Sequence, residues 1–102
     1  MDMKKMMKQA QKMQREAALA QEEIAAMTFE ASAGGGMVKA TATGEMAITD
    51  ITIDPIAVDP EDVDMLQDMV VAAVNEALRM ASEAANNRMN AVMGGVKIPG
   101  LM

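Results

Sequence analysis

The stretch FEASAGGGMVKATATGEMAITDITI, residues 29–53, has the alternation of apolar and polar residues that is typical of β-strands. Turn residues interrupt this alternation at two places. The three glycines at 34–36 tolerate positive φ, and Gly44-Glu45 supplies a second tight turn. We therefore predict an antiparallel meander of three strands, at about 28–32, 37–43 and 46–53.

The third predicted strand does not have a single apolar face. Ile48 has one parity along the strand, whereas Ile51 and Ile53 have the other. An extra residue between them, a β-bulge, would produce this pattern. The sequence therefore leaves open which face of the third strand is buried.

Both flanks of the predicted sheet have the apolar periodicity of helices. The seam before the sheet predicts a helix over about 3–27 and consists of Met6, Ala10, Met13, Ala17, Ala20, Ile24 and Met27. After the sheet, Asp59 and Pro60 are suited to the N-cap and the first helical position. The stripe that follows predicts a helix over about 60–92 and consists of Val63, Leu66, Val70, Ala73, Ala77, Met80 and Ala84.

The second helix is too long for the sheet to cover. It would measure about 50 Å, whereas three strands of typical length offer a platform of about 20 by 15 Å. We expect the first helix to pack antiparallel on the overhang, which would place Lys4 to Arg15 beside Arg79 and Arg88. The sheet edges would stay uncovered in a monomer, which favours a symmetric homodimer with a continuous sheet or with swapped helices.

The sequence thus predicts an α+β fold of order α-β-β-β-α, with long projecting helices and an antiparallel three-stranded sheet. Its 102 residues predict one compact domain with little room for a self-sufficient core. We assign residues 1–93 to this domain. Residues 94–102, with their Gly-Gly and Pro-Gly pairs, are expected to form a flexible tail.

The formal net charge of −6 is distributed unevenly along the chain. Residues 1–15 carry five basic side chains and one acidic side chain, a net charge of +4. Residues 50–68 have no Lys or Arg and carry a net charge of −7. We call their acidic side chains the acidic patch: Asp50, Asp54, Asp59, Glu61, Asp62, Asp64 and Asp68. One end of the chain therefore attracts polyanions, and its centre repels them.

Four of the N-terminal cations fall within an arc of about 80°, centred roughly opposite the apolar seam of the first helix. We call them the basic stripe: Lys4, Lys8, Lys12 and Arg15. One interpretation is a merely solvated face, as on any amphipathic helix. Beyond Arg15, however, the helix turns acidic through Glu16, Glu22 and Glu23, whereas a solvated face more often mixes the signs.

The residue types present exclude most enzyme chemistry. The chain has no Cys and no His, so thiol nucleophiles, imidazole bases and zinc ligands of these types are absent. The carboxylates of Asp59 to Asp64 are suited to Mg²⁺ binding or to acid–base work, but their position explains them as helix caps. The triple glycine lacks the Lys-Ser/Thr pair and the helix of a phosphate-binding loop. We expect no enzymatic activity, no cofactor, no metal and no small-molecule substrate.

Two further functions are limited by composition. Phe29 is the only aromatic residue, so a ladder of stacked bases is not available. No stretch approaches the roughly 20 apolar residues that span a bilayer, and the N-terminus lacks the apolar run of a signal peptide. We therefore expect a cytoplasmic protein without a membrane partner.

Segments along nearly the whole chain resemble the YbaB/EbfC family of bacterial nucleoid-associated proteins. In order, these segments are MKQAQKMQ (7–14), QEEI (21–24), SAGGGMVK (32–39), ITIDP (51–55) and VAAVNEA (71–77). No single segment is diagnostic, but their order and spacing together are specific. Residues 2–6 depart from the pattern, because family members often have a Gly- and Asn-rich lead there.

The resemblance implies a homodimer whose paired helices project like tweezers and grip double-stranded DNA with little sequence selectivity. The positions that match the gripping helices are Lys4, Lys5, Lys8, Lys12 and Arg15, with Arg88 as a weaker candidate. We therefore predict a nucleoid-associated protein that binds duplex DNA through its phosphates, from which an influence on gene expression would follow.

Two alternatives remain from the sequence. In the first, the chain is a helical adaptor whose Met-rich seams accept a partner protein, and its lysines only keep it in solution. In the second, more distant one, the carboxylates of Asp59 to Asp64 hold a metal for phosphoester hydrolysis.

Overall fold

The computed structural model describes residues 2–94 of the chain. Its elements are α1 (Met3–Ala26), β1 (Thr28–Ala33), β2 (Val38–Thr43), β3 (Ile48–Ile53), a short 3₁₀ turn (Pro55–Ala57) and α2 (Val63–Met93). The predicted α-β-β-β-α order and α+β class are confirmed. The predicted tail lies, from residue 95 onward, outside the described residues.

The three strands form one antiparallel sheet in the order β1-β2-β3. Gly34, Gly35 and Gly36 all have positive φ in the first turn, as the sequence predicts. Between β2 and β3 the register shifts at Thr41/Ala42, so that Ala42 lies opposite Ile48 and Ala40 opposite Ile51. This irregularity settles the open question of parity, because it brings Ile48 and Ile51 to the same face of the sheet.

The core lies between the sheet and the first two-thirds of α2. Three small residues of β2, Val38, Ala40 and Ala42, are fully buried, and so are Ala73, Ala77 and Ala81 of α2. Alanine at these positions lets the helix backbone approach the sheet closely. Since α2 covers β1 and β2, the same face of β3 stays open: Ile51 is 42% exposed and Ile53 is 37% exposed.

Helix α1 packs on the second half of α2. Ala20 and Ile24 of its seam are buried, whereas Met6 near its N-terminus is 49% exposed. At its C-terminal end, α1 meets the turn after β2 so closely that a Cβ on Gly44 would lie 1.8 Å from the carbonyl oxygen of Ile24. Glycine is therefore required at position 44, and this contact fixes the point from which α1 projects.

Helix α2 begins at Val63 and not at residue 60, so the predicted start was wrong. The carboxylate of Asp59 accepts from the backbone N–H of Glu61 at 2.9 Å, which closes a local turn at the predicted first helical turn. Asp62 is the N-cap instead, and its side chain accepts from the backbone N–H of Met65 at 3.3 Å. Two capping carboxylates stand three residues apart, and the second one starts the helix.

Candidate nucleic-acid interface

Helices α1 and α2 run antiparallel, and α1 reaches further from the sheet. Arg88 Nε of α2 donates to Glu23 Oε2 of α1 at 2.8 Å, so these two residues lie at the same level along the two helices. From this contact, α1 continues for 20 residues to Met3, whereas the described part of α2 continues for five to Met93. The difference of 15 residues corresponds to a projection of about 22 Å. The molecule is accordingly elongated, with extents of 71 × 27 × 16 Å.

The projecting half of α1 carries the basic stripe, and all four of its side chains are exposed. Lys5, the fifth N-terminal cation, is exposed as well. The helix begins with Asp2 as its N-cap, whose Oδ1 accepts from the backbone N–H of Lys4 at 3.0 Å. The cap starts the helix early enough that the whole stripe lies on regular helix, with its side chains in one row.

The stripe is almost free of internal ion pairs. Within residues 2–94, its one carboxylate contact within 4.0 Å is that of Lys12 Nζ with Glu16 Oε1, at 4.0 Å, between two well-exposed side chains. Pairs of this kind contribute little to stability and are weakened by salt. The cations of the stripe therefore remain available to an anion that arrives from solution.

The acids at the start of α2 lie far from the stripe. Asp68, the last of them, precedes Arg88 by 20 residues of helix, which is about 30 Å along the axis. Arg15 lies eight residues beyond Glu23 on α1, roughly a further 12 Å. The Debye length at physiological ionic strength is about 8 Å, so these acids do not cancel the potential of the stripe.

The two arginines of α2, Arg79 and the candidate Arg88, are engaged by carboxylates. Arg79 donates to Glu76 at 2.7 and 2.9 Å and to Glu83 at 2.6 Å, and these hydrogen bonds and charges raise its pKa. Arg88 donates to Glu23. This hydrogen bond is the largest cause of the lowered pKa of the Glu23 carboxyl, and the positive charge of Arg88 is the next largest. Arg88 is thus held in an ion pair, unlike most of the stripe.

The expected placement of the N-terminal cations beside Arg79 and Arg88 was wrong. Arg88 lies level with Glu23, and Arg79 lies a further nine residues toward the sheet. The reason is the axial offset of the helices, since α1 docks its C-terminal half on α2 and leaves its N-terminal half projecting. The structure therefore separates the six candidate DNA-binding residues into two groups. Five lie on the projecting N-terminal part of α1, which we call its tip: Lys4, Lys5, Lys8, Lys12 and Arg15. Arg88 lies on α2, beside the C-terminal part of α1, which we call its base.

An open apolar groove of about 530 Å³ lies beside the tip, on the seam side of α1. It is lined by Met7, Ala10, Met13, Ala17, Met93 and the two glutamines Gln11 and Gln14. The stripe and the groove thus occupy opposite sides of the same helix, one cationic and one apolar.

A model of the YbaB/EbfC DNA-binding family matches residues 1–96 of the chain. The chain belongs to this family. The predicted resemblance is confirmed, and DNA is the ligand that the family description names. Neither helix in the described part of the chain has an apolar stretch that would cross a membrane.

Relatives from several bacteria agree with this family. A nucleoid-associated protein of Pelotomaculum thermopropionicum is 53% identical over 100 residues, covering 98% of this chain and 95% of the relative. One of Acetivibrio thermocellus is 55% identical over 97 residues, covering 94% and 86%. The crystal structure of an uncharacterized protein from Helicobacter pylori has a TM-score of 0.73 at 24% identity, covering 95% and 99%, and supports the fold alone.

Sequence reasoning missed the carboxylates that engage these cations. The spacings of three and four residues between Arg79 and its two glutamates, and of four between Lys12 and Glu16, are local signals of helical ion pairs. The Glu23–Arg88 pair has no such signal, because its members are 65 residues apart. Only the packing of α1 on α2 brings them together.

Proposed function

We propose that this family member binds double-stranded DNA through the phosphates, with the basic stripe of α1 and Lys5 as the contacting surface. The observation that carries the proposal is the row of exposed cations on a projecting helix, about 40 Å from the acids at the start of α2. A protein with a net charge of −6 would otherwise repel a polyanion. The separation of charge along a molecule 71 Å long supplies the attraction locally.

The chemistry of the stripe favours phosphate contacts over base contacts. Lysine ammonium groups are compact point charges that neutralise phosphates and release counterions, and they carry little sequence information. Residues 3–26 of α1 contain no aromatic side chain that would stack on a base. We therefore propose binding with low sequence selectivity and association with the nucleoid.

We further propose that the binding species is a homodimer. Ile51 and Ile53 lie on the sheet face that α2 covers elsewhere, and β3 is an edge strand. Exposed apolar side chains beside an unpaired strand edge are suited to a second copy of the chain, either by continuing the sheet or by contributing a helix. Two copies of α1 would then supply roughly 6 to 10 phosphate contacts.

Low selectivity is tested with three labelled duplexes of equal length and unrelated sequence, measured by fluorescence anisotropy at one salt concentration. We expect dissociation constants within about threefold of each other, because specific base contacts would each contribute about 1–3 kcal/mol of discrimination. Unlabelled duplex RNA serves as competitor. One duplex bound on the order of 10³ times more tightly than the others would contradict the proposal.

Arg88 is expected to contribute less than the five cations at the tip. A phosphate at this position has to displace or accompany Glu23, whose carboxylate lies 2.8 Å from Arg88 Nε. The proposal keeps Arg88 at the border of the interface and not at its centre.

The alternative of a protein-binding adaptor is favoured by one observation, the apolar groove beside the tip. Its methionines form an adaptable surface of the kind that accepts a partner helix. The two functions differ in their response to nuclease. Partners that remain bound after complete digestion of nucleic acid would favour the adaptor, and their release would favour DNA binding.

A further inference from the structure

The Glu23–Arg88 pair joins the base of α1 to the end of α2. One hydrogen bond, from Arg88 Nε to Glu23 Oε2 at 2.8 Å, connects residues 65 positions apart. Arg79, by comparison, makes three hydrogen bonds to two carboxylates. Loss of one carboxylate would leave Arg79 paired with the other, whereas loss of Glu23 would leave Arg88 without its hydrogen-bond acceptor.

The pair is open to solvent. The side chain of Arg88 is 37% exposed and that of Glu23 is 53% exposed. A guanidinium group offers five N–H donors in a planar fork, and the bond to Glu23 uses the Nε donor. An anion in solution can therefore approach Arg88 while the pair is intact, but it meets the charge of the Glu23 carboxylate.

The pair lies on the border of the proposed DNA interface. Glu23 follows Arg15 by eight residues of α1, which is roughly 12 Å along the helix axis. Glu16, which contacts Lys12 at 4.0 Å, also acts on Arg88 through its charge. A duplex lying along the stripe carries one negative charge per about 1.7 Å of its axis, so phosphates fall within reach of this position.

We propose that Glu23 is an intramolecular competitor for phosphate, which occupies Arg88 and thereby limits the affinity of the chain for DNA. The carboxylate occupies the place at the guanidinium that a backbone phosphate would take, since both are oxyanions that accept from the same donors. This inference rests on the proposed DNA binding. It adds that Arg88 is a sixth cation of the interface, which becomes available to phosphate when the Glu23 carboxylate is removed.

Replacing Glu23 by glutamine keeps the shape of the side chain and removes its charge. Each added phosphate contact makes the slope of log affinity against log salt steeper by about 0.9. The proposed homodimer has two copies of Arg88, so the slope should steepen by up to about 1.8, which corresponds to a gain of up to about 60-fold at 0.1 M relative to 1 M salt. We expect Glu23→Gln to bind a 30-bp duplex about 10- to 60-fold more tightly at 0.1 M salt, with a steeper slope than the wild-type chain.

Four further variants complete the test. Glu30→Gln, on the exposed outer side of β1, changes the net charge equally and should leave the affinity within about twofold of wild type. Arg88→Gln should weaken binding, because it leaves Glu23 unpaired. The double variant Glu23→Gln/Arg88→Gln should return to wild-type affinity and slope. Glu23→Ala, which retains high helix propensity, repeats the test if glutamine impairs folding.

A direct measurement follows the Arg88 Nε–H resonance by ¹⁵N-edited NMR during addition of duplex. We expect a shift in Glu23→Gln and a much smaller one in the wild-type chain. The inference is overturned if Glu23→Gln binds like wild type, if Glu30→Gln gains equally, or if the double variant keeps the gain. Failure of the proposed function itself is a different result, because the wild-type chain would then show no salt-dependent duplex binding.

Discussion

Reversing three charges of the basic stripe is expected to abolish duplex binding. In a dimer, Lys8→Glu/Lys12→Glu/Arg15→Glu removes six proposed phosphate contacts and places six carboxylates in their positions. Six contacts account for roughly 10⁵-fold in affinity between 1 M and 0.1 M salt. Anisotropy at 0.1 M salt should therefore detect no complex at protein concentrations that saturate the duplex with the wild-type chain.

The control for charge reversal is Lys39→Glu, an exposed cation on the opposite side of the sheet from α2. It should reduce affinity far less than Lys8→Glu alone. Glutamates at positions 8 and 12 repel each other along the helix at a cost of a few tenths of a kcal/mol. The neutral variant Lys8→Gln/Lys12→Gln/Arg15→Gln avoids this cost, and circular dichroism checks that α1 is intact. Wild-type affinity in either triple variant would show that the stripe is not the interface.

Charging the open face of β3 is expected to dissociate the proposed homodimer. Ile51→Lys/Ile53→Lys places two ammonium groups where apolar side chains are 42% and 37% exposed in one chain. Burying unpaired charges in an interface costs several kcal/mol, so sedimentation should show a monomer. A monomer keeps half of the proposed contacts, and its affinity for duplex should fall on the order of 10³-fold at 0.1 M salt.

The matched control is Thr52→Lys, because Thr52 is paired with Lys39 and lies on the other face of β3. It adds the same kind of charge to the same strand and should leave the sedimentation coefficient unchanged. A double isoleucine variant that sediments like wild type would place the dimer interface elsewhere. A wild-type chain that sediments as a monomer would refute the homodimer.

Local patterns in the sequence predicted most of the fold. The alternation in residues 29–53 predicted three strands to within two residues of their observed bounds, and the parity of Ile48 and Ile51 pointed to the bulge. The seam predicted α1 to within one residue at its C-terminal end. These features depend on short-range periodicity, which a single sequence contains.

The features that sequence reasoning placed wrongly depend on competition or on long-range packing. Asp59 and Asp62 are equivalent caps by residue type, and only the turn that Asp59 closes on Glu61 separates them. The offset of α1 on α2 was not predictable, because each seam repeats along its helix and, within the described part of the chain, has no buried polar residue that would specify the axial register. The Glu23–Arg88 pair follows from that offset.

The candidate site also has one part that local sequence spacing predicts and another part that depends on long-range packing. The four cations of the basic stripe were found from helical spacing, because their common face depends only on α1, whereas Lys5 was named by the family resemblance. Their separation from the acids at the start of α2 required the fold, since Arg15 and Asp68 are 53 positions apart along the chain. The sequence supplied the charges, and the antiparallel helices supply the distance between them.

The central claim is that a chain with a net charge of −6 binds DNA through cations concentrated on a projecting helix. Titrating a labelled duplex with the wild-type chain at salt concentrations from 50 to 200 mM tests it most directly. With 6 to 10 phosphate contacts, the association constant should fall on the order of 10³ to 10⁵-fold over this range. An affinity that changes by less than about tenfold would contradict the claim. Such a weak salt dependence corresponds to far fewer phosphate contacts than two basic stripes would make.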